Sequence, residues 1–216
     1  MKKFYPLFID ISQKHCTVVG GGSIAARKTK DLISYGAKIR LISKEICDEL
    51  KHYAENKTIE WVSENYKEGQ INGSFLVIAA TNNNKVNKQI YEEAKQKGIM
   101  VNVIDSPELC SFIVPSRVVQ GDLNIAISTN GKSPLLSKKI RQELESYYGP
   151  EYAEFIDIIG NIKTRSLTEI SSEYFRRELL NDVFSLNWLE KIKASNSSSL
   201  KAEIEILFKK YKDKDC

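Results

Sequence analysis

Three consecutive glycines at residues 20–22 form part of a Gly20-x-Gly22-x-x-Ala25 pattern. This is the first pattern in the chain whose residue types and spacing could support a chemical function. An apolar, β-branched run at residues 16–19 precedes the pattern, and a helical pattern follows it. On such a strand-turn-helix, Gly20 permits a tight turn, Gly22 lets the backbone approach a pyrophosphate, and Ala25 lets the helix lie close to the strand. We predict a dinucleotide site here; the alternative is a glycine-rich turn without a ligand. The predicted cofactor-binding residues at this turn are Gly20, Gly22, Ser23, Ile24 and Ala25.

The end of the second predicted strand bears on which dinucleotide binds. An acidic residue about twenty positions after the glycines normally holds the ribose hydroxyls. This chain instead has neutral Ser43 and basic Lys44, and Glu45 comes slightly late. We predict that Ser43 and Lys44 contact the cofactor, but these residues alone leave NAD and NADP both open.

A polar loop at residues 79–84 follows a nearly continuous apolar run at residues 75–80. In open α/β sheets, ligands bind beyond the carboxyl ends of the strands, so Thr81 and Asn82 are predicted to bond a ribose or an amide. The alternative is a loop that caps the next helix, and both interpretations can hold together.

Asp105 directly follows an apolar strand pattern at residues 100–104 and precedes Ser106-Pro107. A carboxylate at a strand end can stabilise a cation or accept a proton, which predicts a catalytic role. The alternative is that Asp105 only caps the turn.

A hydroxyl-rich glycine turn at residues 128–134 precedes another helical pattern. Such a turn can hold an anion, and Ser128, Thr129 and Lys132 are the predicted substrate contacts. A plain helix cap by Ser133 is an equally good interpretation.

The elements that must position these residues alternate between strand and helix as far as Asp105. Alternation of this kind predicts a parallel sheet with helices on both faces. The predicted strands are residues 16–19, 38–43, 58–63, 75–80 and 100–104, and the predicted helices are residues 24–35, 46–56 and 85–97.

The pattern changes after Asp105. Strands at residues 111–118 and 123–128 are joined by a turn at residues 120–122, and a helix runs from Pro134 to Tyr148. Amphipathic helices alone fill the chain from residue 151 onwards. We predict breaks in them near Asn161, near Asn181 and at residues 195–199, and fraying over residues 209–215.

Composition excludes several functional classes. The 216 residues carry a net charge of +4, which is too mild to indicate nucleic-acid binding without a basic stripe. The four cysteines are scattered without a C-x-x-C pair, which favours a reduced cytoplasmic protein over a disulfide scaffold or a zinc site. The N-terminal apolar run, cut by Pro6 and stopped by Asp10, is too short for a signal peptide, and no stretch has transmembrane length.

Six stretches resemble those of a known family, and they occur in the same order and with similar gaps between them. They are Gly20-Gly21-Gly22, Ala25-x-Arg27-Lys28, Ala79-Ala80-Thr81, Asn102-Val103-x-Asp105, Ser111-Phe112-Ile113-x-Pro115-Ser116 and Ser133-Pro134. Together they resemble the precorrin-2 dehydrogenase family of siroheme biosynthesis, over residues 4–145. Residues 146–216 match only in length and helical character.

The resemblance implies an α/β protein with an N-terminal Rossmann-type parallel sheet, a small dimerisation region with a hairpin and a C-terminal helical domain. The implied domains are residues 1–112, 113–145 and 146–216. The implied activity is NAD-dependent oxidation of precorrin-2 to sirohydrochlorin by a homodimer, with Asp105 as the essential aspartate and Thr129 near the active site. The C-terminal helices would help to wall the tetrapyrrole site.

Iron insertion into sirohydrochlorin occurs in some members of that family and not in others. Metal handling usually calls on histidine or clustered carboxylates, and this chain has only His15 and His52. His15 lies at the wrong end of the sheet, and His52 is in a polar helix. We therefore predict no metal site and no efficient chelatase activity.

Two further sequence-based hypotheses concern the substrate and the class of protein. The carboxylates of the substrate need basic partners, for which the candidates are Arg117, Lys132, Lys138, Lys139 and Arg141. The alternative class is a nucleotide-binding ligand-sensor domain without catalysis. Such a domain would share the glycine pattern but would have no need of the stretches at residues 102–105 and 111–116.

Overall fold

The computed structural model describes residues 3–215, and the chain divides into two compact units between Val114 and Pro115. Met1, Lys2 and Cys216, the fourth cysteine, lie outside the described residues. Among residues 3–215, none of the helices combines the length and apolar character needed to cross a membrane.

The first unit is built on a five-stranded parallel sheet in the order β3-β2-β1-β4-β5. Its strands are β1 (His15–Val19), β2 (Lys38–Ile42), β3 (Ile59–Val62), β4 (Leu76–Ala79) and β5 (Met100–Val103). Its helices are α1 (Ser23–Ser34), α2 (Asp48–Glu55) and α3 (Asn84–Gln96). The predicted α/β class is confirmed. The strand order reverses between β1 and β4, which is where such sheets open a crevice for ligands.

Both faces of this sheet are buried, which explains the continuous apolar runs in its central strands. Successive strand residues point to opposite faces, so Val18 and Val19 belong to different core clusters. Ala25 and Leu50 from α1 and α2 pack on the Val18 side, whereas Ile90 from α3 packs on the Val19 side. The helices on either face thereby fix the carboxyl edge on which the predicted site residues lie.

The segment after β5 differs from its prediction. A 3₁₀ turn at Pro107–Leu109 is followed by residues that fold back along β5, where Ser111 N donates to Val101 O at 2.8 Å. Asn102 Nδ2 donates to Phe112 O at 3.0 Å, and this second hydrogen bond also holds the returning segment against β5. The strand predicted for residues 111–118 therefore begins only at Ser116, because residues 111 and 112 already bond to β5.

The second unit contains an antiparallel hairpin and five helices. The hairpin joins β6 (Ser116–Gln120) to β7 (Leu123–Ile127) through a two-residue turn, in which Gly121 has a φ of +56°. The helices are α4 (Pro134–Tyr147), α5 (Glu151–Glu169), α6 (Glu173–Phe184), α7 (Trp188–Lys193) and α8 (Ser197–Asp215). The last four surround their own apolar core, which includes Phe155, Leu179, Leu200 and Phe208.

Two of the three predicted breaks in the C-terminal helices are wrong, and the third overlaps the predicted position. Helices α5 and α6 run through Asn161 and Asn181, because their buried apolar faces outweigh the small helix penalty of one asparagine. The third break falls at residues 194–196, where Ser195 has a φ of +55°, and the serines that follow belong to α8. The predicted fraying is also wrong: helix α8 continues to Asp215, whose carboxylate accepts a hydrogen bond from Ser172 N at 2.9 Å.

Candidate active site

A cleft of about 680 Å³ opens at the carboxyl edge of the parallel sheet. It is lined by the glycine turn, the end of β2, the segment after β3 and the loop after β4. The predicted cofactor residues on its wall are Gly20, Gly22, Ser23, Ile24, Ser43, Lys44, Thr81 and Asn82. Ala25 is not on the wall; it is fully buried beneath the first turn of α1, where its small side chain packs in the core.

Each glycine of the turn meets a different constraint. Gly20 has a φ of +124°, and a Cβ there would lie 2.2 Å from the carbonyl oxygen of Ala80. A Cβ on Gly21 would lie 1.8 Å from the carbonyl oxygen of Glu45. A Cβ on Gly22 would meet no atom within 4 Å, so this position faces open space in the cleft. The first two glycines therefore serve backbone packing, and the third leaves room for a ligand.

The amino terminus of α1 faces that open space without a cap of its own. Gly22 is the N-cap residue and provides no side-chain cap hydrogen bond, and no acidic residue lies in the first turn. The first N–H groups of any helix lack partners within the helix, and its dipole favours an anion there. Helix α3 differs, because Asn83 Oδ1 accepts from Lys85 N and Val86 N. The residues at α1 therefore fit a pyrophosphate.

The end of β2 presents opposite charges to the cleft. The Ser43 hydroxyl donates to Glu45 O at 2.7 Å, and Ser43 O accepts from Trp61 Nε1 at 2.9 Å. The side chains of Lys44 and Glu45 are exposed and both residues line the cleft. The Ser43 hydroxyl uses its proton within the loop, so towards a ribose it can only accept a hydrogen bond.

The loop after β4 both caps the next helix and lines the cleft. Asn83 caps α3, as the capping alternative predicted. The Thr81 hydroxyl donates to Asn87 Oδ1 at 2.7 Å, and Asn87 Nδ2 returns a bond to Thr81 O at 3.0 Å. Buried Asn87 thereby fixes the backbone of Thr81 at the cleft wall, and the exposed side chain of Asn82 lies next to it.

Asp105 lies at the same sheet edge, two residues beyond β5, with a φ of +59°. Aspartate tolerates this left-handed conformation better than most residues, although it remains strained. The Cys110 thiol, only 3% exposed, holds the turn: Val103 N donates to its sulfur at 3.3 Å, and Val103 O and Ser106 O both lie 3.3 Å from it. The carboxylate is thus presented on a pinned turn, outside the residues that line the cleft.

The predicted substrate residues lie together in the loop between β7 and α4, in the second unit. Thr129 Oγ1 accepts from Ser133 N and donates to Ser133 O, both at 3.1 Å. Ser128 Oγ accepts from Asn130 N at 3.0 Å, and Ser133 Oγ caps α4 by accepting from Leu136 N at 3.2 Å. Lys132 is exposed. The hydroxyls of Ser128 and Thr129 therefore order the loop, and Lys132 supplies its charge.

Two family models match this chain. Residues 7–116 match a model described as putative NAD(P)-binding, and residues 120–147 match one described as sirohaem biosynthesis protein central. The chain belongs to the NAD(P)-binding family of siroheme biosynthesis. The residues that line the cleft all fall within the segment that the first model matches.

Relatives and a solved structure agree with this membership. The chain is 38% identical over 202 residues to siroheme synthase of Vesicomyosocius okutanii, covering 94% of this chain and 43% of that protein. It is 36% identical over 196 residues to siroheme synthase of Zymomonas mobilis, covering 91% and 42%. A solved structure of SirC, precorrin-2 dehydrogenase, matches with a TM-score of 0.80 and 25% identity, covering 94% of this chain and 99% of that one. The chain thus spans less than half the length of the siroheme synthases it matches.

Several residues of this family member's cleft were missed in the sequence. Gly21 was assigned no role, because the fingerprint gives weight to the glycines on either side of it. Glu64, Asn65 and Tyr66 also line the cleft. They follow β3 at its carboxyl end, so the rule that singled out Thr81 and Asp105 would have found them.

The described residues hold no group of three or more His, Cys, Asp or Glu side chains arranged to bind a metal ion. His15 is the first residue of β1, at the opposite edge of the sheet from the cleft, and His52 is exposed on α2. Cys16, Cys47 and Cys110 are free thiols. Burial raises the pKa of Cys16 to about 11, so this thiol stays protonated and unreactive at neutral pH.

Proposed function

We propose that this chain binds NAD in the cleft and uses it to oxidise precorrin-2 to sirohydrochlorin, as a cytoplasmic enzyme of siroheme biosynthesis. The observation that carries the proposal is the uncapped amino terminus of α1 beside the open Gly22 position, on a chain that covers 99% of SirC, precorrin-2 dehydrogenase. The match covers 99% of the SirC chain and 43% of the siroheme synthase of Vesicomyosocius okutanii.

Different residues of the cleft are proposed to bind different parts of the cofactor. NAD supplies a hydride acceptor when bound, and the chain supplies position and electrostatics. The first-turn N–H groups of α1 bind the pyrophosphate, and the loop at Ser43 and Lys44 contacts the ribose next to adenine. Thr81 and Asn82 contact the half of the cofactor that carries the nicotinamide.

Asp105 is proposed as the catalytic residue. Loss of a hydride leaves a cation on the substrate, and a proton must then depart, so a carboxylate can stabilise the first and accept the second. Its turn is held by Cys110, and its backbone is strained, which is frequent where a side chain must be presented at a fixed angle.

Basic residues of the second unit are proposed to bind the carboxylates of precorrin-2. Lys132, Lys138 and Lys139 are exposed, whereas Arg141 is paired with Glu145 on α4. A polyanionic macrocycle would be attracted by the exposed lysines, and the ordered loop at Ser128 and Thr129 would fix where Lys132 lies.

A homodimer is proposed, with residues 113–145 as the dimerisation region. Hairpin β6–β7 is a separate two-stranded sheet in the described part of the chain, and a two-stranded sheet is marginal by itself. Val119 on β6 and Leu135 and Leu136 on α4 are exposed at 45%, 77% and 49%. A second copy would cover such apolar groups, which are a liability when left in water.

One assay tests the function. Purified protein is mixed with NAD and precorrin-2 without oxygen, and the absorbance of sirohydrochlorin is followed. Turnover that depends on NAD supports the proposal. Binding of NAD without turnover would favour the ligand-sensor alternative, for which the matched families and relatives offer no support.

A further inference from the structure

Glu93 of α3 is a carboxylate that is only 4% exposed and that no step of the reaction uses. It accepts hydrogen bonds from three directions: from the Tyr66 hydroxyl, from Gly69 N at 2.9 Å and from Lys97 Nζ at 2.8 Å. Two of these donors belong to the segment after β3 and the third to the end of α3. Burying a carboxylate costs free energy unless hydrogen bonds and an ion pair compensate for the lost water, as these three donors do. The three donors therefore show which parts of the molecule this buried group holds in place.

Tyr66 connects this buried group to the cofactor site. The residue lines the cleft of about 680 Å³ and also a second cavity, of about 580 Å³, along α3. Glu93 lines the second cavity and is not among the residues that line the cleft. Tyr66 therefore stands between the two cavities, with its hydroxyl bonded to Glu93 behind the wall of the cleft.

The segment that carries Tyr66 lacks regular secondary structure, and the ring of Tyr66 packs against the core cluster that contains Ile71 and Ile90. Residues 63–70 contain no helix or strand, and Gly69 has a φ of +93°. Hydrogen bonds within the segment join its exposed residues to one another: Gln70 Oε1 accepts from Lys67 N at 2.8 Å, and Gln70 Nε2 donates to Glu64. Glu93 is the group that ties both Tyr66 and Gly69 to a helix of the main sheet.

Strand order places this segment at the adenosine end of the cofactor. The end of β2, at Ser43, is where such folds contact the ribose next to adenine. Strand β3 lies beyond β2, on the side away from β4 and β5. Glu64, Asn65 and Tyr66 follow β3 and line the cleft together with Ser43, so under the proposed function they would lie on the adenosine side of the cofactor.

Resting on the proposed function, we infer that Glu93 is a positioning residue of the NAD site, which holds Tyr66 as a fixed wall for the adenosine half of the cofactor. Burial by itself raises the pKa of Glu93, but the bonds from Lys97, Tyr66 and Gly69 outweigh this and the pKa is lowered. The carboxylate is thus ionised at neutral pH, and burial and the bond to Glu93 keep the Tyr66 hydroxyl protonated by raising its pKa.

The test compares Glu93→Gln, Tyr66→Phe and the double variant by calorimetric titration with NAD, with ADP-ribose and with nicotinamide mononucleotide. Each single variant should weaken NAD and ADP-ribose by about tenfold, and leave the mononucleotide unchanged. The double variant should bind no more weakly than either single variant, because both remove the same bond. In turnover assays the KM for NAD should rise while kcat stays near that of the unchanged protein.

Matched controls separate positioning from folding. Glu92→Gln neutralises the neighbouring exposed carboxylate, and Tyr91→Phe removes a hydroxyl from the same helix; both should bind NAD normally. Thermal unfolding is recorded for every variant, since a purely structural role would lower the melting temperature without changing the affinity of the folded protein. If Glu93→Gln does not fold, Tyr66→Phe still decides the matter, because Glu93 keeps its bonds to Gly69 and Lys97.

The outcomes also separate this inference from the proposed function. Normal affinity for NAD and ADP-ribose in folded Glu93→Gln or Tyr66→Phe overturns the inference, and so do additive effects in the double variant. Failure of the unchanged protein to bind NAD or to oxidise precorrin-2 overturns the proposed function instead.

Discussion

The carbonyl oxygen of Glu45 lies against the backbone of Gly21, so closely that a Cβ on this glycine would be 1.8 Å away. The same two segments are joined by a hydrogen bond from Cys47 N to Gly21 O at 2.8 Å. The loop after β2, which carries Ser43 and Lys44, is therefore docked on the glycine turn. The middle glycine holds two walls of the cleft together.

Gly21→Ala should destabilise the protein, because neither backbone can yield without moving one wall of the cleft. We expect a loss of about 1–3 kcal/mol in the free energy of unfolding, measured by denaturant titration, together with weak NAD binding. Gly22→Ala is the matched control. Gly22 has extended backbone and open space around it, so the variant should unfold like the unchanged protein while its methyl group intrudes on the pyrophosphate. Equal stability of the two variants would contradict this assignment.

Asp105→Asn should bind NAD normally and lose most of its turnover, by about a hundredfold or more. Asparagine tolerates the left-handed conformation at φ +59°, so this variant removes the charge and keeps the turn. Turnover is measured with precorrin-2 and NAD, and affinity for NAD by titration. Asp105→Gly is a second control, because it relieves the strain and also lacks the carboxylate; it should be equally inactive. Near-normal turnover of Asp105→Asn would leave Asp105 with a structural role only.

The protein should use NAD in preference to NADP. The specificity constants measured with the two cofactors test this prediction. Glu45 lines the cleft and would repel a 2′-phosphate bound beside it, although neighbouring Lys44 would attract that phosphate. Glu45→Gln should therefore improve the use of NADP, and Lys44→Gln should weaken it further. A clear preference of the unchanged protein for NADP would refute the assignment of NAD.

Sedimentation at micromolar concentration should give about twice the chain mass of 24.6 kDa. Val119→Lys places a charge on an exposed apolar position of β6 and should shift the protein towards monomer. The same substitution at Ile206, which is 68% exposed on α8 outside the proposed dimerisation region, is the control and should leave the mass unchanged. A monomer peak for the unchanged protein would contradict the proposed homodimer.

Efficient iron insertion is not expected. The assay gives the protein sirohydrochlorin and ferrous or cobaltous ion, without NAD and without oxygen. Insertion should stay near the rate without protein, because metal handling usually calls on histidine or clustered carboxylates. Insertion well above that rate, and lost in Asp105→Ala, would show that this chain performs both steps.

The sequence by itself determined the sheet and the edge at which the cleft lies. Apolar runs at β1 and β4 specify buried parallel strands, and the residues that follow them must meet at one edge because all five strands run the same way. The resemblance then supplied the family. The caps at Asn83 and Ser133 were also readable, since they depend on a local bond within three residues.

Only the tertiary structure decided the features that depend on residues far apart in sequence. The role of Gly21 is set by Glu45, and that of Glu93 by Tyr66, across separations of 24 and 27 residues. The helices run through Asn161 and Asn181 because packing against Leu179, Phe208 and their neighbours outweighs a local preference of a few tenths of a kcal/mol. The return of residues 111 and 112 along β5 likewise depends on Asn102 and Val101. Local conformational propensity depends on neighbouring residues and can be predicted from them. Steric exclusion between backbones and hydrogen bonds between buried groups form only once the chain has folded.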